Sequence, residues 1–366
     1  MDILTIVSLV VGTVCLVFGA EWLVRGASTV ATKLGVAPIV VGLTVVAFGT
    51  SAPELAVSVS GAISGNADVA IGNVVGSNIF NILFILGLSA AISGLFIEQR
   101  LLKLDIPLLI VISLVIYVLI LDDSVSRLEG AVLFAGIIAY TVWLLRGART
   151  PESPGVSSEY EQAVEKLEAP TFRKSVGFQV GLIIVGLALL VLGSRLLVDS
   201  ATEIASALGV SDLVIGLTVV AAGTSLPELA TSVMAAIRGQ RDIAVGNVVG
   251  SNIFNLLSVL GASAVVSSDG VAVNSEVIRL DFPVMLAATI VLLPICWNGF
   301  MVKKWEGAVL AVFYVVYVAY LVMEAGDSGA PGQFRAAMLI IVPLVIVVFS
   351  AAGFQGWRRH RASQPA

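Results

Sequence analysis

One segment of this chain occurs twice, and the duplication restricts the fold more than any other feature. Residues 40–90 align without a gap to residues 214–264, and 36 of the 51 positions are identical. Inside the repeat lies VVAFGTSAPELAVSVS at 45–60, matched by VVAAGTSLPELATSVM at 219–234. Each copy is an apolar helix candidate interrupted by Gly, Thr, Ser and Pro, with Glu54 or Glu228 just after the interruption. A carboxylate inside a membrane-length apolar segment is expensive and marks a functional site by default. Two of them, 174 residues apart (228 − 54), suggest one site assembled from two halves.

Weaker similarity extends the repeat in both directions. LVFGAEWLV at 16–24 resembles LVLGSRLLV at 190–198, LDIP at 104–107 matches LDFP at 280–283, and LEGAVL at 128–133 matches WEGAVL at 305–310. Only 12% of the residues are charged and 58% are hydrophobic, whereas about a quarter are charged in a soluble protein. This composition belongs to a polytopic membrane protein. Eleven hydrophobic stretches lie near 3–23, 38–62, 69–93, 102–121, 128–146, 176–198, 212–236, 243–267, 281–299, 305–324 and 336–356. Apolar runs this long, without alternation, are helices rather than barrel strands. Each repeat unit holds five spans, an odd number, so the second unit enters the membrane from the opposite side. The expected fold is an all-α polytopic membrane protein of two inverted five-helix repeats plus an extra C-terminal transmembrane helix, a plan many secondary transporters share.

The basic residues give the orientation. With the N-terminus outside, sixteen Lys and Arg fall on the cytoplasmic side and four (Arg127, Arg195, Arg279 and Arg335) fall outside, as the positive-inside rule requires. The chain opens MDILTIV, acidic where a signal peptide is basic, so this stretch reads as the first span. The expected organisation is repeat 1 at 1–146, a cytoplasmic linker at 147–175, repeat 2 at 176–324, and an extra span with a basic cytoplasmic tail at 325–366. The cell membrane is the expected location. The net charge of −5 says little about partners, but the absence of a basic stripe with interleaved aromatics excludes nucleic acid, and no protein partner or prosthetic group is implied. Cys15 and Cys296 read as small buried hydrophobes.

The broken helices carry the chemistry. Pro53 and Pro227 lack an amide proton and clash with the carbonyl four residues back, which frees carbonyls around Ala47–Thr50 and Ala221–Thr224. Such groups are intolerable against lipid but suit a buried cation site. Helical spacing puts Thr50, Glu54 and Ser58 on one stripe with Ser51 beside it, and Thr224, Glu228 and Ser232 on another beside Ser225. The following span repeats GNVVGSNIFN letter for letter at 72–81 and 246–255. There Asn73, Ser77 and Asn81 share a face, as do Asn247, Ser251 and Asn255. Gly72, Gly76, Gly246 and Gly250 allow close helix approach. The inventory is all oxygen, which hard cations such as calcium and sodium take. Zinc or copper would want His or Cys, and the one histidine, His360, sits in the tail. Asn73, Asn78, Asn247 and Asn252 serve equally well as bridges between helices. Asp105 and Asp281, two before a proline, read as helix caps, and Glu129 and Glu306 read as structural groups at the membrane edge.

GTSAPEL and GTSLPEL, each followed by GNVVGSNIFN, resemble the two alpha repeats of the calcium/cation antiporter superfamily, most closely its prokaryotic sodium/calcium exchanger branch. The resemblance covers roughly 1–324. It implies a ten-helix inverted-repeat fold with one calcium site and sodium sites at its centre. Glu54 and Glu228 would bind calcium, and Thr50, Ser51, Ser77, Asn81, Thr224, Ser225, Ser251 and Asn255 would complete the calcium and sodium sites. The first and sixth spans would slide against the rest. Two departures stand out: Asn occupies both 81 and 255, where exchangers of this kind often have one Asp, and the eleventh span exceeds the family's ten. The expected activity is sodium-driven calcium export by alternating access, with calcium/proton exchange through the same glutamates as the alternative. A channel fits the inverted repeat less well, and an enzyme would need a nucleophile and base that this chain does not offer.

Overall fold

The computed structural model describes residues 3–147, 175–207, 221–297 and 299–325. The expected linker, the eleventh span and the first part of the stretch at 212–236 therefore lie outside the described residues. The first half begins with α1 (Ile3–Leu34) and a broken span of α2 (Pro38–Thr50) and α3 (Ala52–Ile63) bent by 46°. It continues through α4 (Ala67–Ser93), α5 (Leu101–Asp122) and α6 (Arg127–Gly147). The second half has α7 (Val176–Ala207), a helical turn at Ala221–Gly223, α8 (Leu226–Ile237), α9 (Arg241–Val266), α10 (Val277–Trp297) and α11 (Lys304–Ala325). Among the described residues, eight helices are long and apolar enough to cross a membrane, or nine if the bent pair counts as one span.

Two spans are longer than the hydrophobicity predicts. α1 and α7 each run for 32 residues, whereas the apolar stretches end near 23 and 198. Charges such as Glu21, Arg25 and Asp199 mark the edge of the hydrocarbon, but not the end of a helix whose backbone satisfies itself. At a rise of about 1.5 Å per residue such a helix is about 48 Å long, well beyond the roughly 30 Å hydrocarbon core. The two lie antiparallel, glycine against backbone. A Cβ on Gly12 would stand 3.0 Å from the Gly193 carbonyl oxygen, and one on Gly19 would stand 2.9 Å from that of Gly186. Only small residues permit this approach.

The two halves interlock reciprocally. Strand β1 (Leu95–Phe96) pairs antiparallel with β4 (Met301–Val302), and β2 (Ser124–Val125) pairs with β3 (Val271–Ala272). Gly87 of α4 meets the Gly307 carbonyl of α11, and Gly261 of α9 meets the Gly130 carbonyl of α6. Each pair exchanges an element of one half for its repeat counterpart in the other, and α1 runs antiparallel to its own counterpart α7. This pattern fits an inverted repeat. At the centre stand α4 and α9, and the apolar stretch of α9 is wholly buried.

Asp105 and Asp281 are not caps. A wide π turn at Leu101–Asp105, and another at Val277–Asp281, carries each helix through the aspartate toward its proline. The carboxylates instead accept hydrogen bonds from the last helix of their own half, Tyr140 Oη to Asp105 at 2.9 Å and Tyr317 Oη to Asp281 at 2.7 Å. Glu129 and Glu306 do close helix N-termini, accepting from the Ser126 and Lys303 amides at 2.8 Å.

Candidate functional site

The break in the first half places its residues through backbone chemistry. α2 ends at Thr50, and Pro53 sits in the first turn of α3, where its missing amide proton is not needed. The chain turns at Ser51, so Glu54 enters the first turn of α3 with its side chain fully buried. The carbonyls are less free than the proline alone predicts. The Ala47 carbonyl keeps a helical partner, the Ser51 amide at 3.0 Å, because the break falls after Thr50 rather than before it. In the second half the Gly223 carbonyl, opposite Pro227, accepts from the Ser194 hydroxyl of α7 at 2.5 Å.

Each break reaches across to the other half. Ser51 Oγ donates to Glu228 Oε1 at 2.8 Å, and Ser225 Oγ donates to Glu54 Oε1 at 2.7 Å. Thr50 Oγ1 lies 3.1 Å from both Asn247 Oδ1 and the Val46 carbonyl of its own helix, and Thr224 Oγ1 donates to Asn73 Oδ1 at 3.2 Å. The two asparagines complete the pattern within their own halves. Asn73 Nδ2 donates to the Glu54 carbonyl at 3.1 Å and to Ser58 Oγ at 2.8 Å. Asn247 Nδ2 donates to the Glu228 carbonyl at 3.4 Å and to Ser232 Oγ at 2.9 Å.

Below this layer α4 and α9 meet. Asn255 Nδ2 donates to Ser77 Oγ at 3.0 Å, Asn81 Nδ2 donates to Asn252 Oδ1 at 3.0 Å, and Ser251 Oγ reaches Glu228 Oε1 at 3.5 Å. Asn78 does not bridge; its amide turns back to the Val74 carbonyl of its own helix. All ten residues singled out from the sequence make hydrogen bonds, in three sets: one around Glu54 with Thr224, Ser225, Ser77 and Asn255, one around Glu228 with Thr50, Ser51 and Ser251, and the Asn81–Asn252 pair. Nine are buried, and Thr224 is half-buried.

Four acceptor oxygens of these residues have no hydrogen-bond partner among the described residues: Glu54 Oε2, Glu228 Oε2, Asn81 Oδ1 and Asn255 Oδ1. Buried orphans of this kind are rare and need an explanation. Among the described residues no three His, Cys, Asp or Glu side chains gather, so the donor set is two carboxylates with hydroxyl and amide oxygens. Oxygen ligands of that kind suit hard cations.

Ser194 carries no signal in the sequence; its repeat counterpart is Ala20, and nothing in either stretch points to a distant carbonyl. The glycines of α9 pack closely: a Cβ on Gly246 would stand 3.0 Å from the Ile39 carbonyl oxygen and one on Gly250 2.8 Å from Leu43 Cα.

The fold and this centre define a multi-pass membrane protein whose two related halves enclose a buried, oxygen-lined cluster at their interface. The sequence matches the family described as sodium/calcium exchanger protein over residues 4–146 and again over 178–323. The chain belongs to that family. It is 36% identical over 345 residues to the sodium/calcium exchanger MaX1 of Methanosarcina acetivorans, covering 86% of this chain and 97% of that protein. It is 34% identical over 316 residues to the inner membrane protein YrbG of Escherichia coli, covering 86% and 95%. A structure of the sodium-calcium exchanger NCX_Mj, soaked with 2.5 mM Na+ and 0.1 mM Ca2+, superposes with a TM-score of 0.74 at 31% identity, covering 87% of this chain and 99% of that one.

Proposed function

We propose that this protein is a secondary active antiporter of the cell membrane that exports calcium in exchange for sodium by alternating access. Residues 1–146 and 176–324 form the two repeats. The linker at 147–175 and the tail after the extra span lie in the cytoplasm, and the N-terminus lies outside. Glu54 and Glu228 bind calcium, with Thr50, Ser51, Ser77, Asn81, Thr224, Ser225, Ser251 and Asn255 supplying the remaining calcium and sodium contacts. The observation that carries this reading is the set of four buried oxygens without a partner among the described residues, two of them carboxylate. Calcium takes six to eight oxygens at about 2.3–2.6 Å, and hydroxyls already oriented by the opposite half supply more. With both glutamates ionised the centre carries a formal charge of −2, which one calcium ion neutralises. Two sodium ions neutralise it equally, so the occupants compete, and an empty charged centre crosses the barrier reluctantly.

A second reading keeps the same glutamates but uses protons. It is favoured by Asn at both 81 and 255, which leaves the cluster with two carboxylates and no third. Sodium-loaded everted vesicles, diluted into sodium-free calcium buffer at constant pH, separate the two. Calcium uptake is expected to follow the sodium gradient. Uptake that ignores sodium and follows an imposed pH gradient instead would establish the proton reading.

A further inference from the structure

Asn81 and Asn255 are repeat counterparts, yet their amides are held by different means. Ser77 Oγ lies 2.6 Å from the Asn73 carbonyl and 3.2 Å from the Val74 carbonyl, both of its own helix. Carbonyls only accept, and the shorter contact takes the hydroxyl proton. Ser77 therefore meets Asn255 as an acceptor, so the Asn255 amide nitrogen faces it at 3.0 Å. That leaves Asn255 Oδ1 turned away and without a partner among the described residues. Asn81 has no such anchor, because its neighbour is another amide. Asn81 Nδ2 donates to Asn252 Oδ1 at 3.0 Å, while Asn81 Oδ1 and Asn252 Nδ2 are buried without a partner among the described residues. Turning both amides over gives the reverse bond, Asn252 Nδ2 to Asn81 Oδ1, and again leaves one donor and one acceptor unpartnered. The two arrangements make the same number of hydrogen bonds. They differ in what Asn81 offers, a free carbonyl oxygen in the first and a free N–H in the second. Only the first serves a cation.

We propose that Asn252 is a positioning residue that makes Asn81 a conditional cation ligand, presenting Asn81 Oδ1 when it accepts from Asn81 and withdrawing that oxygen when it donates. The inference rests on the reading of Asn81 as a cation contact. It adds that a cation at Asn81 Oδ1 selects between two otherwise matched amide arrangements, whereas Asn255 is presented by its bond to Ser77. The repeat counterpart of Asn252 has no such role, since Asn78 Nδ2 donates to the Val74 carbonyl of its own helix at 2.9 Å.

The test is a double-mutant cycle on the full chain in proteoliposomes, reading sodium-driven calcium flux. Asn81→Leu shows which KM, that of calcium or of sodium, reports on the Asn81 oxygen. Asn252→Leu should raise the same KM by roughly tenfold, the scale of one buried hydrogen bond, with kcat within about twofold. The Asn81→Leu/Asn252→Leu double variant should be no worse than Asn81→Leu alone, because Asn252 acts only through Asn81. Asn78→Leu, the same change at the counterpart position, should leave both KM values within about twofold of wild type. Losses that multiply in the double variant, an unchanged KM in Asn252→Leu, or an equal rise in Asn78→Leu would overturn the inference while wild-type flux upholds the functional reading. Unchanged KM values in Asn81→Leu would remove the ligand on which the inference rests and overturn it. Absence of calcium flux in the wild type would overturn the functional reading, and the inference with it. Should Asn252→Leu fail to fold, Asn252→Ala carries the same expected and overturning results.

Discussion

α4 and α9 carry the same ten residues, GNVVGSNIFN, and yet they sit in different surroundings. On the α9 flank Gly246, Asn247 and Gly250 are buried, with α2 pressed against both glycines. On the α4 flank Gly72 is exposed, and Asn73 and Gly76 are half-buried. Ile39 and Leu43 of α2 supply that pressure, and their repeat counterparts at 213 and 217 lie outside the described residues. The α1–α7 pair adds a difference that is chemical. Ser194 donates to the Gly223 carbonyl, Glu21 pairs with Arg238 at 2.8 Å, and Ser28 donates to Gln240 at 3.2 Å, all on the second broken span. Their repeat counterparts include Ala20 for Ser194, Arg195 for Glu21 and Ser64 for Arg238, which cannot rebuild the hydroxyl bond or the ion pair. The α1–α7 pair therefore holds the two broken spans by different contacts.

The largest effect should fall on both flanks alike. Glu54→Gln and Glu228→Gln should each abolish calcium uptake into everted vesicles. Retained transport in either would break the claim that the two halves build one site. The glycines of the α9 flank come next. Gly250→Ala, whose Cβ meets Leu43 Cα at 2.8 Å, should lower stability by about 1–3 kcal/mol through overpacking, read as a fall in melting temperature in detergent. An unchanged melting temperature would show that α2 yields to the added methyl. Ser194→Ala should cost about 1–2 kcal/mol by orphaning the Gly223 carbonyl, whereas Ala20→Ser should gain nothing, as chemical denaturation can check. The smallest effect belongs to Glu21→Gln, since the ion pair is partly exposed and worth less than about 1 kcal/mol. It should lower the melting temperature slightly, and the charge exchange Glu21→Arg/Arg238→Glu should restore it.

The repeat, the broken helix and the polar stripe were legible because each is periodic: apolar runs set the spans, proline sets the break, and a spacing of four sets the face. What the sequence hides is of three kinds. Partners such as Thr50 and Asn247 stand 197 residues apart, and nothing local in either names the other. Asp105 matched the pattern of a cap, yet the group that satisfies it, Tyr140, lies on the next helix. Glu21 and Arg25 looked like a membrane edge because a charge reports where lipid ends, not where a helix ends.

The crossed strands have a consequence for the chain as a connected object. β1 with β4, and β2 with β3, each join one half to the other by main-chain bonds, in addition to the side-chain circuit between them. The covalent joint between the halves then acts chiefly by keeping two complementary surfaces at high local concentration. Separately translated halves, cut within the linker, would recognise each other as subunits do, and the single chain is in effect a heterodimer whose partners share one polypeptide.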